Sequence, residues 1–420
     1  MSQEIAANII QQKVAKLNRI WLSFANTPSA PIARWLLKED EFSLVNAFMD
    51  DTQNDLFIHF DTPFVTLDTY SEALVKELHH QIESIRESVK KEGFGIDWQS
   101  KFQKANTNHA KAFLDDIGNL ADQLPFEGLL VAVLNPKSNN KNIEKWLQDA
   151  IENGLNKKLR IVLMDKIDNP FYKDIAQKKS KKIKDLEPQL DISAMNKQLA
   201  SLGNPNDKGV QFRIAYLELA DAAAKQDTDA VEHLAKVPLK ITREQNWVAL
   251  EVAVFMLKAS AYSNSSKQDI AIKKYDAALD IAQKNIETGD KSCLSIISSV
   301  YFAKAALFFV QKKYNIALEN YLAAAPFCKQ NKDFFNLIEA KRMSAICYQS
   351  LGKTKEAKGT FIEALDVGEK INQELRGNSM LPYTSKSLLN LIREDGNKEE
   401  YKQTEEKIKL LLGNDWEQSS

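Results

Sequence analysis

One pattern of small and aromatic residues occurs three times between residues 252 and 365. Offsets of three and four positions within each copy place side chains on one face of a helix, while a nine-residue gap leaves room for a turn. The pattern therefore predicts helical hairpins, in which small residues let two helices approach closely. The copies are Ala259-Tyr262 with Ala271-Tyr275-Ala278, Ala305-Phe308 with Ala317-Tyr321-Ala324, and Ala345-Tyr348 with Ala357-Phe361-Ala364.

This spacing resembles that of the tetratricopeptide repeat (TPR) family, whose helix-turn-helix units carry small and aromatic residues at these relative places. The resemblance covers residues 209–413, about half of the chain. The anchors Ala271, Ala317 and Ala357 are separated by more residues than the 34 of the standard repeat, which indicates lengthened helices. The resemblance implies an all-α C-terminal solenoid of about five hairpins, closed by atypical end units.

The first half of the chain predicts an α/β domain. Gly128–Leu134 and Leu159–Met164 are nearly continuous apolar runs, typical of strands covered on both faces, and a helix over 142–153 joins them in a βαβ unit. Further candidates are short strands at Asp55–Phe60 and Phe64–Leu67, or one broken strand over both runs. Helices are predicted over 32–49, 71–90 and 108–124.

Changes in composition divide the chain into four predicted segments: N-terminal helices over 1–50, a small α/β domain over 51–170, a basic helical linker over 171–208, and the solenoid over 209–420. The amphipathic helix Ile5–Phe24 predicts either a membrane-surface helix or, by preference, one that docks on the protein's own core. The basic run Lys178–Lys184 lacks interleaved aromatic residues, which favours a solvated helix face over a phosphate or nucleic-acid contact.

The overall charge gives no reason to expect a nucleic-acid partner, because 56 basic residues stand against 57 acidic ones. No apolar segment is long enough for a membrane span, and Met1–Glu4 lacks the start of a signal peptide. Cys293, Cys328 and Cys347 are widely spaced, as expected of reduced thiols in a core. We expect a cytoplasmic protein, and abundant Lys, Asn and Ile favour a bacterial source.

Ligands of parallel sheets bind at the carboxyl ends of strands, so the α/β domain is the place to look for a small-molecule site. The polar residues expected there are Asn135, Lys137, Ser138, Asp165 and Asp168. No glycine-rich phosphate loop follows either strand, and the histidines lack metal-type spacing: His59, His79, His80, His109 and His233. We predict no cofactor, no metal and no catalytic residue, and expect a protein that is not an enzyme.

The first functional hypothesis is a protein-binding adaptor, scaffold or chaperone that uses the concave surface of the solenoid. Its basic bias favours an acidic peptide, and exposed ends leave room for a homo-oligomer. The predicted partner-binding residues lie on first-helix faces that stacking does not use: Arg213, Lys258, Asn264, Lys304, Lys312, Arg342 and Gln349.

The resemblance to TPR arrays is also compatible with an accessory protein of a bacterial secretion or contractile injection system. An alternative hypothesis is a ligand-responsive regulator, in which a polar pocket near Asn135 and Asp165 binds a small molecule. That idea loses its site if the helix Ile5–Phe24 fills the strand ends. Hydrolysis in the first half would require converging histidines or paired carboxylates.

Overall fold

The computed structural model describes residues 2–52, 54–91, 98–100, 110–124, 127–137, 140–414 and 416. The chain divides into an N-terminal unit, Met1–Leu199, and a C-terminal unit, Ala200–Ser420. The first contains a small parallel sheet between helices, and the second is helical throughout its described part. The prediction of an α/β half followed by an all-α TPR-like half is therefore confirmed.

Within the described residues, five parallel strands form one sheet in the order β2-β3-β4-β1-β5. Side chains alternate between the two faces of a strand, so strands covered on both faces are apolar throughout. All five residues of β3 are buried for this reason. The strands are β1 Ile32–Leu37, β2 Leu56–Phe60, β3 Leu130–Leu134, β4 Leu159–Lys166 and β5 Ile183–Leu186.

Helices cover both faces of the sheet. On one face, Leu17 and Trp21 of α1 and Phe48 of α2 share a core with Trp35 of β1. On the other face, residues of α3 to α6 share a core with Ile161 of β4. The helices of this unit are α1 Ser2–Ala25, α2 Phe42–Asp50, α3 Leu67–Lys91, α4 Lys111–Gln123, α5 Ile143–Asn153, α6 Lys173–Lys178 and α7 Ile192–Ala200.

The predicted docking of the first helix on the protein's own core is confirmed, but the helix predicted over 32–49 is wrong in its first part. Residues 32–37 form β1, which lies between β4 and β5 and is buried on both faces. A short apolar run does not distinguish a covered strand from a buried helix. The chain becomes α-helical only at Phe42, after a 3-10 turn over Glu39–Glu41.

Two further predicted elements are corrected by the structure. Residues Phe64–Leu67 are not a strand, because the Glu77 carboxylate accepts the backbone N–H groups of Asp61 and Thr62 and draws the chain toward α3. The linker predicted as helical contains β5, whose Ile183 and Leu186 are buried against the sheet. The predicted start of α4 at 108–109 lies outside the described residues.

The C-terminal unit is a TPR-like solenoid in which α11–α12, α13–α14 and α15–α16 are the three predicted hairpins. Ala271, Ala317 and Ala357 are all fully buried in them. The helices of this unit are α8 Lys208–Ala224, α9 Thr228–Leu234, α10 Lys236–Glu244, α11 Val248–Asn264, α12 Gln268–Glu287, α13 Leu294–Val310, α14 Tyr314–Gln330, α15 Phe334–Ser350, α16 Thr354–Gly368, α17 Gln373–Arg376, α18 Leu381–Glu394 and α19 Lys398–Leu412.

Candidate functional site

The first helices of the three hairpins, α11, α13 and α15, expose only uncharged residues. Val310 is 75% exposed, Phe335 42% and Leu250 38%. The charged residues of these helices are buried or half-buried instead. We call the exposed set the first-helix surface, and its members are Leu250, Asn264, Ser295, Ser299, Ala306, Val310, Phe335, Asn336, Gln349 and Ser350.

The second helix of the first hairpin, α12, has the opposite character. Solvent-exposed helix faces normally carry charged residues, and α12 follows this rule. Its exposed residues include Asp269, Lys273, Asp276, Asp280, Lys284 and Glu287. Since α12 exposes charged residues, the absence of exposed charge is a property of the first-helix surface and not of the whole array.

Three of the predicted partner-binding cations are engaged within the protein. Lys258 lies 2.8 Å from Glu232, Lys304 lies 2.6 Å from Asp276, and Arg342 lies 2.6 Å from Glu339. Lys258 is also only 6% exposed, so it does not belong to the first-helix surface. Their positive charge is neutralised by carboxylates of the same array.

Glu232 is the centre of a small polar cluster that joins α9 to α11 and α12. Its carboxylate also lies 2.8 Å from Lys274 and accepts a hydrogen bond of 3.0 Å from the Tyr262 hydroxyl. Partial burial raises the pKa of Glu232, but hydrogen bonds from Lys258 and Lys274 outweigh this and lower it to about 2. The Glu232 carboxylate is therefore ionised near neutral pH, and its contacts hold three helices together.

The other predicted positions have different surroundings. Asn264 and Gln349 belong to the first-helix surface, whereas Lys312 lies in the turn after α13 with a positive φ of 59°. The exposed Arg213 donates hydrogen bonds to the carbonyl oxygens of Ala200 and Leu202. As partner contacts, all seven positions remain predictions.

Sequence reasoning missed the apolar members of the first-helix surface and a pocket beside them. The pocket has a volume of about 520 Å³, and its lining includes Phe212, Trp247 and Leu250. A signal was present in α13, because only Lys304 among its 17 residues is charged. A helix with so little charge that still exposes Ser295, Ser299, Ala306 and Val310 offers solvent a surface without charge, and exposed apolar surface often marks a binding site.

The N-terminal unit contains a cleft of about 730 Å³ at the carboxyl ends of its strands. The chain leaves β1 toward α2, which covers one face of the sheet, and leaves β4 toward α6, which covers the other. Since β1 and β4 are neighbours, their diverging connections open a crevice, the usual ligand position in such folds. Among the described lining residues none belongs to α1, so that helix does not fill the strand ends.

The predicted polar set is only partly brought together by this cleft. Asn135, Lys137 and Asp165 line it, Asp168 lies outside the lining, and Ser138 lies outside the described residues. The Asp165 carboxylate is already bonded within the protein. It accepts hydrogen bonds from the N–H groups of Phe171 and Tyr172 at 2.7 and 3.0 Å and pairs with Arg34 at 3.3 Å. Asp165 therefore organises the loop after β4.

The remaining candidates do not form a reactive centre in the part of the chain that is described. No three His, Cys, Asp or Glu side chains are arranged there to hold a metal ion. His59 lies 3.1 Å from Asp50 beside the cleft, and His109 lies outside the described residues. The three cysteines are free and buried, and burial raises the pKa of Cys328 and Cys347 to about 11.

Among the described helices, none combines the length and the apolar character needed to cross a bilayer.

No protein-family model matches the chain, and no curated protein matches it. Solved structures that match include BtubC (BKLC) from P. vanneervenii, with 17% identity, 52% of this chain and 88% of that chain covered, and a TM-score of 0.41. The apo form of RapI matches with 13% identity, 82% and 75% coverage and a TM-score of 0.40. NprR in complex with its cognate peptide NprX matches with 13% identity, 97% and 91% coverage and a TM-score of 0.30.

Proposed function

We propose that the protein is a non-catalytic adaptor that binds an extended, uncharged peptide segment of a partner protein on the first-helix surface. The observation that carries this proposal is the exposure of ten uncharged residues, and no charged ones, on α11, α13 and α15. The centres of protein interfaces are depleted of charge because ions lose hydration when they are buried. A surface without charge avoids that cost.

The pocket lined by Phe212, Trp247 and Leu250 supports the same proposal, since Leu250 belongs both to the pocket and to the first-helix surface. Its volume of about 520 Å³ accommodates a large apolar side chain. Buried aromatic and aliphatic anchors supply most of the affinity in peptide complexes. We expect the partner segment to place one such anchor in this pocket.

The partner that fits this surface differs from the acidic peptide expected from sequence. Three of the five cations that favoured an acidic partner, Lys258, Lys304 and Arg342, are held by Glu232, Asp276 and Glu339. An acidic segment would have to displace those carboxylates, whereas an uncharged segment leaves them in place. A link to a secretion or contractile injection system, and self-association, remain predictions.

Selection from a displayed peptide library on the full chain tests the proposal. We expect the selected peptides to be apolar and uncharged, and to bind the Val310→Glu variant at least about tenfold more weakly, because a buried carboxylate loses hydration. The matched control is Leu322→Glu, which adds the same charge at an exposed position of α14. Leu322→Glu is expected to bind as the unmodified protein does.

Two results would contradict the proposal. One is the selection of predominantly acidic or basic peptides. The other is equal binding by the Val310→Glu and Leu322→Glu variants. Both substituted positions are exposed, at 75% and 44%, so neither variant is expected to lose its fold.

A further inference from the structure

The cleft at the carboxyl ends of β1 and β4 collects positive charge from three parts of the chain. Lys137 follows β3, Lys141 precedes α5, and Lys166 ends β4. The fold brings these three lysines to the lining of one cavity of about 730 Å³. Cationic groups that converge on a concave site are the usual means of recognising an anion.

Two of these lysines, Lys137 and Lys166, have acidic neighbours that are easily displaced. Lys137 pairs with Asp61 at 3.1 Å and Lys166 with Glu39 at 2.6 Å, and all four side chains are more than half exposed. Exposed ion pairs of this kind add little to stability, because water screens them. An entering anion can therefore replace Asp61 or Glu39 as the partner of a lysine at small cost.

Two other groups fix the chemistry of the cleft. Lys141 is held in position, since its ammonium donates to the Phe171 carbonyl oxygen, lies 3.3 Å from Glu144 and stands 4.5 Å from the centroid of the Phe171 ring. Asp165 also lines the cleft, but Arg34 and two backbone N–H groups already neutralise it. Asp61 is therefore the one described acidic side chain of the lining that remains available to oppose an anion.

The rest of the lining suits an uncharged molecular body. Phe42, Met164 and Phe171 supply apolar surface. The amides of Asn46 and Asn169 are exposed, and the described part of the chain contains no hydrogen bond to either of them. Ligand pockets commonly combine apolar walls with a few polar groups that fix orientation.

We propose that this cleft binds a small organic anion, in which a phosphate or carboxylate group is joined to an apolar or aromatic body. The acidic group lies among Lys137, Lys141 and Lys166, and the body lies against Phe42 and Phe171. Lys137 has a positive φ of 42°, a conformation that costs energy in a residue other than glycine and is concentrated at functional sites. This site is independent of peptide binding by the C-terminal unit.

Calorimetric titration of the full chain with four probes tests the site. Phenyl phosphate and phenylacetate carry both a ring and an acidic group, inorganic phosphate carries the anion alone, and benzyl alcohol carries the ring alone. We expect one of the two aromatic anions to bind more tightly than inorganic phosphate and benzyl alcohol. The preference between phenyl phosphate and phenylacetate identifies the acidic group.

Charge removal then locates the site. Lys166→Gln is expected to weaken binding of the preferred aromatic anion about tenfold, because a charge-assisted hydrogen bond is lost. Lys181→Gln is the matched control, since Lys181 is an exposed lysine that precedes β5 at the opposite, amino end of the sheet. The Lys181→Gln variant is expected to bind the preferred aromatic anion with the affinity of the unmodified protein. Lys137→Gln repeats the test at a second lysine of the cleft.

Three results would overturn the assignment. The first is no binding of either aromatic anion at concentrations up to about 10 mM, a range that detects weak fragment-sized ligands. The second is equal weakening by Lys166→Gln and Lys181→Gln, which would indicate nonspecific attraction to positive charge. The third is binding of benzyl alcohol as tight as that of the aromatic anions. Thermal unfolding of each variant confirms that the fold is retained.

Discussion

Lys258 and Glu232 form an ion pair in which the lysine side chain is 7% exposed and the glutamate side chain 39% exposed, with 2.8 Å between Nζ and Oε2. A buried ammonium depends on its partner, because removing the carboxylate leaves a positive charge without hydration. The pair also connects α9 with α11, so it fastens the start of the solenoid to the first regular hairpin.

Removing the charge of Glu232 is expected to destabilise the C-terminal unit. We expect Glu232→Gln to lower the free energy of unfolding by about 2 kcal/mol, less than for a fully buried pair because Glu232 is partly exposed. Urea unfolding followed by circular dichroism measures the change. Glu319→Gln, at an exposed position of α14, is the control and is expected to have little effect. Equal stability of the two variants would contradict the prediction.

The contribution of Glu232 depends on pH. Its folded-state pKa of about 2 lies below the unfolded value of about 4.3, so its stabilisation is complete above the unfolded value and is lost as the pH falls toward 2. We expect the stability difference between the unmodified protein and Glu232→Gln to shrink below about pH 4. Urea titrations at several pH values measure it, and a difference that stays constant into acid would refute the assignment.

Two glycines of α16 are expected to respond in opposite ways to alanine. A Cβ at Gly368 would lie 2.7 Å from Leu381 Cδ1, whereas a Cβ at Gly359 would meet nothing within 4 Å. Leu381 is fully buried, so Gly368→Ala is expected to cost about 1–3 kcal/mol through overpacking. Gly359→Ala is expected to stabilise by up to about 1 kcal/mol, since alanine favours a helix. Thermal unfolding of both variants shows whether each substitution lowers or raises the stability of the protein.

The loop after β4 is expected to depend on the charge of Asp165. Replacement by Asn leaves the 4% exposed Arg34 with one carboxylate fewer and removes an acceptor from the N–H groups of Phe171 and Tyr172. We expect Asp165→Asn to lower the stability of the N-terminal unit by about 3 kcal/mol. Asp168→Asn, three residues away and exposed, is the control. Tryptophan fluorescence during urea unfolding measures the change in stability. Equal destabilisation by Asp165→Asn and Asp168→Asn would contradict the prediction.

The sequence was sufficient to predict structure where local spacing determines packing. The small anchors Ala271, Ala317 and Ala357 are buried because close helix pairs require them, and the apolar run of β3 is buried because helices cover both faces. By contrast, the sequence around β1 predicts a helix. Its Arg34 resembles an exposed residue, but Asp165 and Asp185 neutralise it from 131 and 151 positions away in sequence.

The candidate sites are predictable only in part, because the partners of their side chains lie on other elements of the fold. Lys258 looks available in the sequence, because its partner Glu232 is on another helix. The uncharged surface of α13 was readable from its composition, but which of its residues face solvent follows only from packing. The sequence predicts strand ends as the place for a cleft, whereas the contributions of α2 and Lys166 follow only from the topology.

The position of β1 within the sheet has a consequence for the order of folding during synthesis. Ile32 pairs with Ile161 of β4 on one side and with Ile183 of β5 on the other, so β1 has no neighbouring strand until β4 has been made and lacks its second neighbour until β5 has been made. Contacts between residues far apart in sequence form slowly, whereas each hairpin of the C-terminal unit closes through nearby residues. The strand of this sheet that is synthesised first is therefore among the last to be paired on both sides.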